Sequence, residues 1–112
     1  MQWTQIPNTG FSEGISDHSL TKVSSKEILL VGGRQAGAVS KKVKLFDAEK
    51  GEWRSEADLP TEVTGPDGGL RGHRSISVPK ENGVFVFCVG GHVDCRDIEH
   101  PDHIAVLDIN CG

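Results

Sequence analysis

Apolar residues along this chain fall into short runs, and the runs come in an order that occurs twice. Ile28-Leu29-Leu30-Val31 leads into Gly32-Gly33, and Val84-Phe85-Val86-Phe87-Cys88-Val89 leads into Gly90-Gly91. Beyond a polar loop, each is followed by a second run: Val43-Lys44-Leu45-Phe46-Asp47 in the first set, Ile104-Ala105-Val106-Leu107-Asp108 in the second. Each is preceded by a stretch that opens on histidine. Residues 18–23 (His-Ser-Leu-Thr-Lys-Val) alternate in part, and residues 73–78 (His-Arg-Ser-Ile-Ser-Val) alternate more cleanly, as half-buried strands do. The continuous runs before the glycine pairs predict strands buried on both faces. Ser24-Ser25-Lys26, Ala48-Glu49-Lys50-Gly51 and Lys80-Glu81-Asn82-Gly83 supply the turns between them. No segment sustains a 3.6-residue period, so almost no helix is expected.

The first set continues through Gly51-Glu52-Trp53 to Leu59-Pro60, whereas the second stops at Asn110-Cys111-Gly112. Its missing end stands at the start of the chain as Gln2-Trp3-Thr4-Gln5-Ile6-Pro7. The glycine pairs lie 58 residues apart (90 minus 32) and the aspartates 61 apart (108 minus 47). A period of that length belongs with four-stranded repeat units rather than with the shorter helical repeats.

An apolar run, Gly-Gly, a variable loop, an apolar pair before Asp, Gly-x-Trp and Leu-Pro together resemble the kelch motif, across nearly the whole chain in two registers. Phe46 and Leu107 stand where a tyrosine is usual in that family, and the second copy has a tryptophan only if Trp3 supplies it. The resemblance implies an all-β fold of four-stranded antiparallel blades arranged as a β-propeller. Residues 17–60 would be the first full blade, residues 71–112 a second blade lacking its fourth strand, and residues 1–7 a fourth strand. That strand would complete a blade in trans or around a ring. Two blades alone would leave apolar flanks and strand edges exposed. Two, three or four copies would close a ring of four, six or eight blades; the alternative is a trimmed part of one longer propeller. In isolation the chain is expected to self-associate.

Composition adds boundaries. The 112 residues suit one domain, and the 14 glycines suit tight turns. A net charge of −4 gives no reason to expect nucleic acid or an anionic membrane as partner. No apolar run reaches bilayer-spanning length, and Met1-Gln2-Trp3 does not open a signal peptide. Three cysteines, Cys88, Cys95 and Cys111, are too few and odd in number for a disulfide framework. A reducing compartment, cytoplasm or nucleus, is expected.

Strands of a blade run antiparallel, so the loops after its second and fourth strands share one face. Those are residues 34–42, 92–103, 8–17 and 61–72, and long loops on a rigid scaffold are the usual carriers of binding. The loop after Gly33 is basic; the loop after Gly91 is acidic and rich in histidine. Candidate partner-binding residues are Arg34, Gln35, Lys41, Arg71, His92, Asp94, Arg96, Asp97, Glu99 and His100. Arg34 and Arg71 would pair carboxylates or phosphates through their planar forks; the plain alternative is solvated loop charge. His92, Asp94, Cys95, His100 and His103 offer donors that zinc accepts, but their spacing matches no closed finger motif, so neither metal nor other cofactor is expected. His18 and His73 fall at equivalent positions and are expected to hydrogen-bond the backbone of a neighbouring unit. Trp3 and Trp53 read as wedges between blades, and Asp47 and Asp108 as turn caps. Cys88 should be buried and inert, leaving Cys95 as the candidate reactive thiol.

No nucleophile–base pair and no phosphate cradle is legible, so the expected function is a non-enzymatic protein–protein interaction scaffold. Kelch resemblance implies substrate recognition for ubiquitin ligases of the F-box or BTB type, and Gly90-Gly91-His92 leading to Ala105-Val106-Leu107-Asp108 is similar to plant F-box/kelch proteins. The rivals are a kelch-propeller enzyme acting on a sugar or other small molecule, and a purely structural, self-assembling repeat. Kelch-type copper oxidases use tyrosines, and this chain has none.

Overall fold

The computed structural model describes residues 1–5, 15–64, 68–93 and 104–110. The described residues form an all-β structure of antiparallel sheets. The first sheet holds β1 (Ser19–Lys22), β2 (Glu27–Val31), β5 (Val43–Asp47) and β6 (Glu52–Ser55), in that spatial order. Between β2 and β5 a small hairpin is formed by β3 (Arg34–Gln35) and β4 (Ala38–Val39). A one-turn helix, α1 (Thr61–Thr64), precedes the second sheet of β7 (Arg74–Lys80), β8 (Gly83–Val89) and β9 (Ile104–Asn110). Neither sheet closes on itself. No helix among the described residues is long and apolar enough to cross a membrane.

Each sheet is a meander because the turn residues between its first strands are too few to do anything but reverse the chain. Ser24 accepts a hydrogen bond from Lys26 N at 3.3 Å and its hydroxyl bonds Glu27 at 3.0 Å, closing the first turn. Asp47 closes the β5–β6 turn as expected, its Oδ1 accepting from Glu49 N at 2.9 Å and Lys50 N at 3.0 Å. The Lys50 amide, followed by that of Glu49 and the Lys26 and Lys50 charges, holds its carboxyl below the usual carboxylate range against a desolvation term. Asp108 does otherwise. It lies inside β9 and pairs with Lys80, whose ammonium also reaches Asn110 Oδ1 at 2.6 Å. Side-chain-free Gly83 sits opposite Lys80 and Asn110 in the ladder and leaves that path open. Pro79, which has no amide to donate, is tolerated because β7 is an edge strand.

Register assigns the faces. Thr21, Leu29, Leu45 and Arg54 are ladder neighbours, as are Ser19, Val31 and Val43; alternation puts both rows on one face. Opposite stand Val84, Val86 and Cys88 of β8 with Ala105, Leu107 and Ile109 of β9, and the two faces together make the core. Leu29 and Val86 are fully buried there, each worth about 1.5–3 kcal/mol of burial. Leu59 and Leu70, from the connection between the sheets, complete the cluster.

Burial separates the two glycine-pair strands. In β2, Leu29, Leu30 and Val31 are buried, as a strand covered on both faces requires. In β8 only Val86 and Cys88 are buried, while Phe85 and Phe87 are half-buried and Val89 is exposed. The second face of β8 has no layer against it among the described residues. The expected tryptophan wedges are also corrected. Trp53 stacks on Phe46 with ring centroids 4.9 Å apart, on the face of the first sheet turned away from the second. Trp3 is 95% exposed, in a segment that forms no strand.

Gly32 shows how closely the two sheets meet. It has φ of 64°, and a Cβ there would overlap the Leu70 carbonyl and lie 3.2 Å from the His73 ring. Gly90, its counterpart in the second sheet, has φ of 75° but nothing within 4 Å of its Cβ position. At high dilution, Gly32→Ala should therefore cost about 2–4 kcal/mol, strain and overlap together, and Gly90→Ala only about 1 kcal/mol from strain. Urea unfolding of both variants measures the difference; equal losses would contradict the close approach.

Candidate functional site

Four backbone residues tie together the end of the molecule that carries the glycine pairs. Gly69 N donates to Val93 O at 3.0 Å and Leu70 N to Ser40 O at 3.0 Å, while Gly33 N donates to Leu70 O at 2.7 Å. Arg71 and His92 exchange both backbone bonds, at 2.9 and 2.8 Å, and Gly72 N donates to Asp17 O at 2.8 Å. Ser16 and Arg34 exchange the corresponding pair in the first sheet, at 3.0 and 2.6 Å. Residues 69–72 are thus clasped between the loops of both sheets. Arg34, Arg71 and His92 come to one end through this path.

The hairpin projects from that clasp. Arg34 pairs with Val39 and Gln35 with Ala38, and Ala36 and Gly37 turn the chain with φ of 55° and 76°, the positive values a tight two-residue hairpin turn needs. Ala36, Gly37 and Ala38 are exposed; Arg34, Gln35 and Lys41 are half-buried beside them. Next to Lys41, Lys42 is held by Asp58 at 3.3 Å. Arg34 and Gln35, expected to meet a partner, therefore stand on a formed hairpin, and Lys41 lies in the connection from it to β5.

Arg71 is placed differently from Arg34. It is a buried residue, 9% exposed, with its guanidinium 3.9 Å from the Asp17 carboxylate. His92 is half-buried on the Arg71 backbone. Asp94, Arg96, Asp97, Glu99 and His100 lie outside the described residues, as do the metal candidates Cys95 and His103, so His92 is the described member of that set. No group of three metal-donor side chains occurs among the described residues.

Behind the clasp lie the two equivalent histidines. His73 is 1% exposed and shares a 2.7 Å hydrogen bond with the Ser19 hydroxyl of the first sheet through Nε2. It bonds the neighbouring sheet, but through a side chain where a backbone partner was expected. Nδ1 of His73, Nδ1 of His18 and Oγ of Ser75 are buried without a hydrogen-bond partner. Burial, then the nearby His18 and Arg74 charges, push His73 down to about 4, with only the Val31 backbone opposing. The ring is neutral at pH 7 and serves as a packing and hydrogen-bonding wedge. Cys88 is buried and free, and burial pushes its thiol up to about 11, so it is inert as expected.

Two further surfaces lie outside the loop residues, and the second is an apolar flank of the kind expected of two units standing alone. At the far end of the sheets a cleft of about 420 Å³ opens between β6 and the free edge of β9, lined by Arg54, Glu56, Leu107, Asp108 and Ile109 among others. Arg54 bridges it on one side, bonded to Glu56 at 3.0 Å and Glu27 at 3.3 Å. The outer face of the second sheet is an apolar flank: Ile76 is 62% exposed, Val78 43%, Val89 44%, Ile104 61% and Val106 52%. The signal was there in Ile104-Ala105-Val106-Leu107, which is apolar at successive positions and so on both faces of a strand. No protein-family model and no curated protein matches the chain.

A pH dependence follows from His73. Between about pH 6.5 and 4 the unfolded chain binds a proton at this position that the folded chain refuses. Its contribution to stability is therefore whole above pH 6.5 and declines as the pH falls through that window, by roughly 3 kcal/mol in all. Denaturation midpoints followed from pH 7 to 4 should show the decline, and His73→Gln, which cannot titrate, should flatten it. An unchanged slope in the variant would assign the effect elsewhere.

Proposed function

We propose that this chain is a non-enzymatic protein–protein interaction scaffold made of two kelch-type propeller blades. The observation that carries it is the apolar flank. Five large side chains, each more than two-fifths exposed, share one face of the second sheet, and a contiguous apolar surface of this kind is what protein interfaces cover. The two sheets meet at an end held by backbone bonds, as radially packed blades do, with β1 beside β7. The order of runs and glycine pairs that resembles kelch sequences supports the same reading.

Within this scaffold the hairpin rim recognises the partner. Arg34 and Gln35 stand on a hairpin beside its exposed turn, with Lys41 in the connection that follows, and their chemistry suits carboxylate-bearing peptide segments. Buried Arg71 supports this rim from beneath through Asp17 and His92. The role of an adaptor that presents substrates to a ubiquitin ligase is consistent with such a surface and belongs to the same proposal.

The test is a charge reversal that leaves the flank intact. Immobilised chain should capture a defined set of proteins identified by mass spectrometry. The Arg34→Glu/Lys41→Glu variant should lose that set by on the order of tenfold or more while keeping its far-ultraviolet spectrum. Recovery of the same proteins in the same amount would overturn the assignment of the rim.

A further inference from the structure

We infer that this chain associates head to tail with a second copy of itself. The first sheet of one copy seats on the apolar flank of the other, and residues 2–5 of the incoming copy add as a fourth strand along β9. The inference rests on the blade reading above and specifies what covers the flank.

The internal repeat supplies the template. In the first sheet, Leu29, Val31, Val43 and Leu45 face the second sheet and are buried by it. Adding the repeat offsets of 58 for β2 and 61 for β5 gives Phe87, Val89, Ile104 and Val106. Val89, Ile104 and Val106 are exposed residues of the flank, apolar like their counterparts, and Phe87 is half-buried among them. What covers the first set is the face of a following unit. The face of this chain homologous to that cover is the back of the first sheet, where Ile28 and Leu30 stand for Val86 and Cys88, and Phe46 for Leu107; Leu30 is already buried there, and Ile28 and Phe46 are half-buried. It carries Leu20, 53% exposed, at its inner strand.

Gly90 marks the same missing neighbour. Against Gly32 lie Leu70 and His73 of the following unit, but the space at Gly90 is open. Gly33 and Gly91, in contrast, are both filled, each by the lead-in to β1 or β7 of its own sheet. One role of the glycine pair is therefore met twice and the other once. Residues 15–18 of a second copy are the homologue of residues 70–73 and fit the vacant place. Arg74 stands where Ser19 would receive the histidine, so the His73–Ser19 bond has no counterpart there, and the contact is carried by the apolar rows.

The strand follows from the edge. In the first sheet β6 pairs with β5, and Trp53 covers Phe46. In the second, β9 has no further strand among the described residues, and the cleft of about 420 Å³ opens beside Leu107, the counterpart of Phe46. Gln2-Trp3-Thr4-Gln5 repeats the pattern of Glu52-Trp53-Arg54-Ser55, and Trp3 is 95% exposed. Thirteen residues separate Gln5 from β1 (18 minus 5), against 18 between β6 and β7 (73 minus 55). At about 3.3 Å per extended residue they span a sheet of strands spaced about 4.8 Å.

Sedimentation across a dilution series tests this. The wild-type chain should form species heavier than one chain. Leu20→Glu, and separately Ile104→Glu/Val106→Glu, should each sediment as one chain while folded by circular dichroism, since all three residues are exposed. Mixed in equal amounts, the two variants should form a species of two chains and none larger, because one intact back meets one intact flank. A wild-type chain that stays single at every concentration would overturn the proposal. So would a Leu20→Glu variant that still associates, which would mean flank on flank, or a mixture that stays single. Trp3→Ala should weaken association by on the order of tenfold or more; no change would overturn the added strand. None of these outcomes depends on the hairpin rim, so capture of partners can succeed where association fails, and the reverse.

Discussion

The end of this molecule that carries the glycine pairs depends on residues 69–72 being held between the two sheets. Their backbone groups, and those of the residues they meet, reach Ser40, Gly33 and Asp17 on the side of the first sheet and Val93 and His92 on the side of the second. Each such bond adds only about 0.5–1.5 kcal/mol net, but a buried amide or carbonyl left without one would cost about 1–3 kcal/mol. The close fit needs residues without side chains: a Cβ on Gly69 would overlap the Ser40 backbone, and one on Gly32 the Leu70 carbonyl. The glycine pair is thus the place where one unit admits the next. It also explains why a histidine sits nearby. A neutral imidazole reaches from the second sheet to the Ser19 hydroxyl without bringing a charge into the core.

The clasp fixes one end and leaves the other open. Along β2 the chain runs from Glu27, beside the cleft, to Val31, beside Gly32. At the cleft end charges replace apolar contacts: Arg54 with Glu27 and Glu56 on one sheet, Lys80 with Asp108 on the other. Exposed pairs of that kind add little stability, so the two sheets are joined by their apolar faces and by the clasp. The projecting hairpin gains its rigidity from the same source, since Arg34 pairs with Ser16 at the root while Val39 holds the other strand.

The seven longer strands were legible as apolar runs, as alternating stretches or as the segment around Trp53, each bounded by turn residues, and the Val43–Asp47 bounds emerged as expected. The hairpin was not, because its turn is Ala36-Gly37, and alanine at φ of 55° is an uncommon choice that local sequence does not announce. The one-turn helix at Thr61–Thr64 is too short to leave a period. Asp108 misled because it matches Asp47 in the repeat, yet the ladder continues past it to Asn110, and Lys80 claims its carboxylate. Arg34 and Arg71 looked alike as loop charges. Only the fold shows that one stands at a rim and the other is buried against Asp17. An exposed flank was legible from two units lacking neighbours, but which strand face would form it was not, because an apolar strand does not declare how many of its faces will be covered.

That last ambiguity has an energetic side. A sheet buried on one face collects only part of the apolar transfer energy its residues can supply, while it pays the full conformational entropy of ordering them. For Leu29, Val31, Val43 and Leu45 the return is complete, because the second sheet lies over them. For Val89, Ile104 and Val106 it is not. Any protein surface that covers the flank binds the folded chain and not the unfolded one, so it adds stability that grows with its own concentration. When the covering surface belongs to a second copy, folding and association become linked, and stability rises with the concentration of the chain itself. The flank is then both the weakest face of the isolated fold and the place where that weakness is made good.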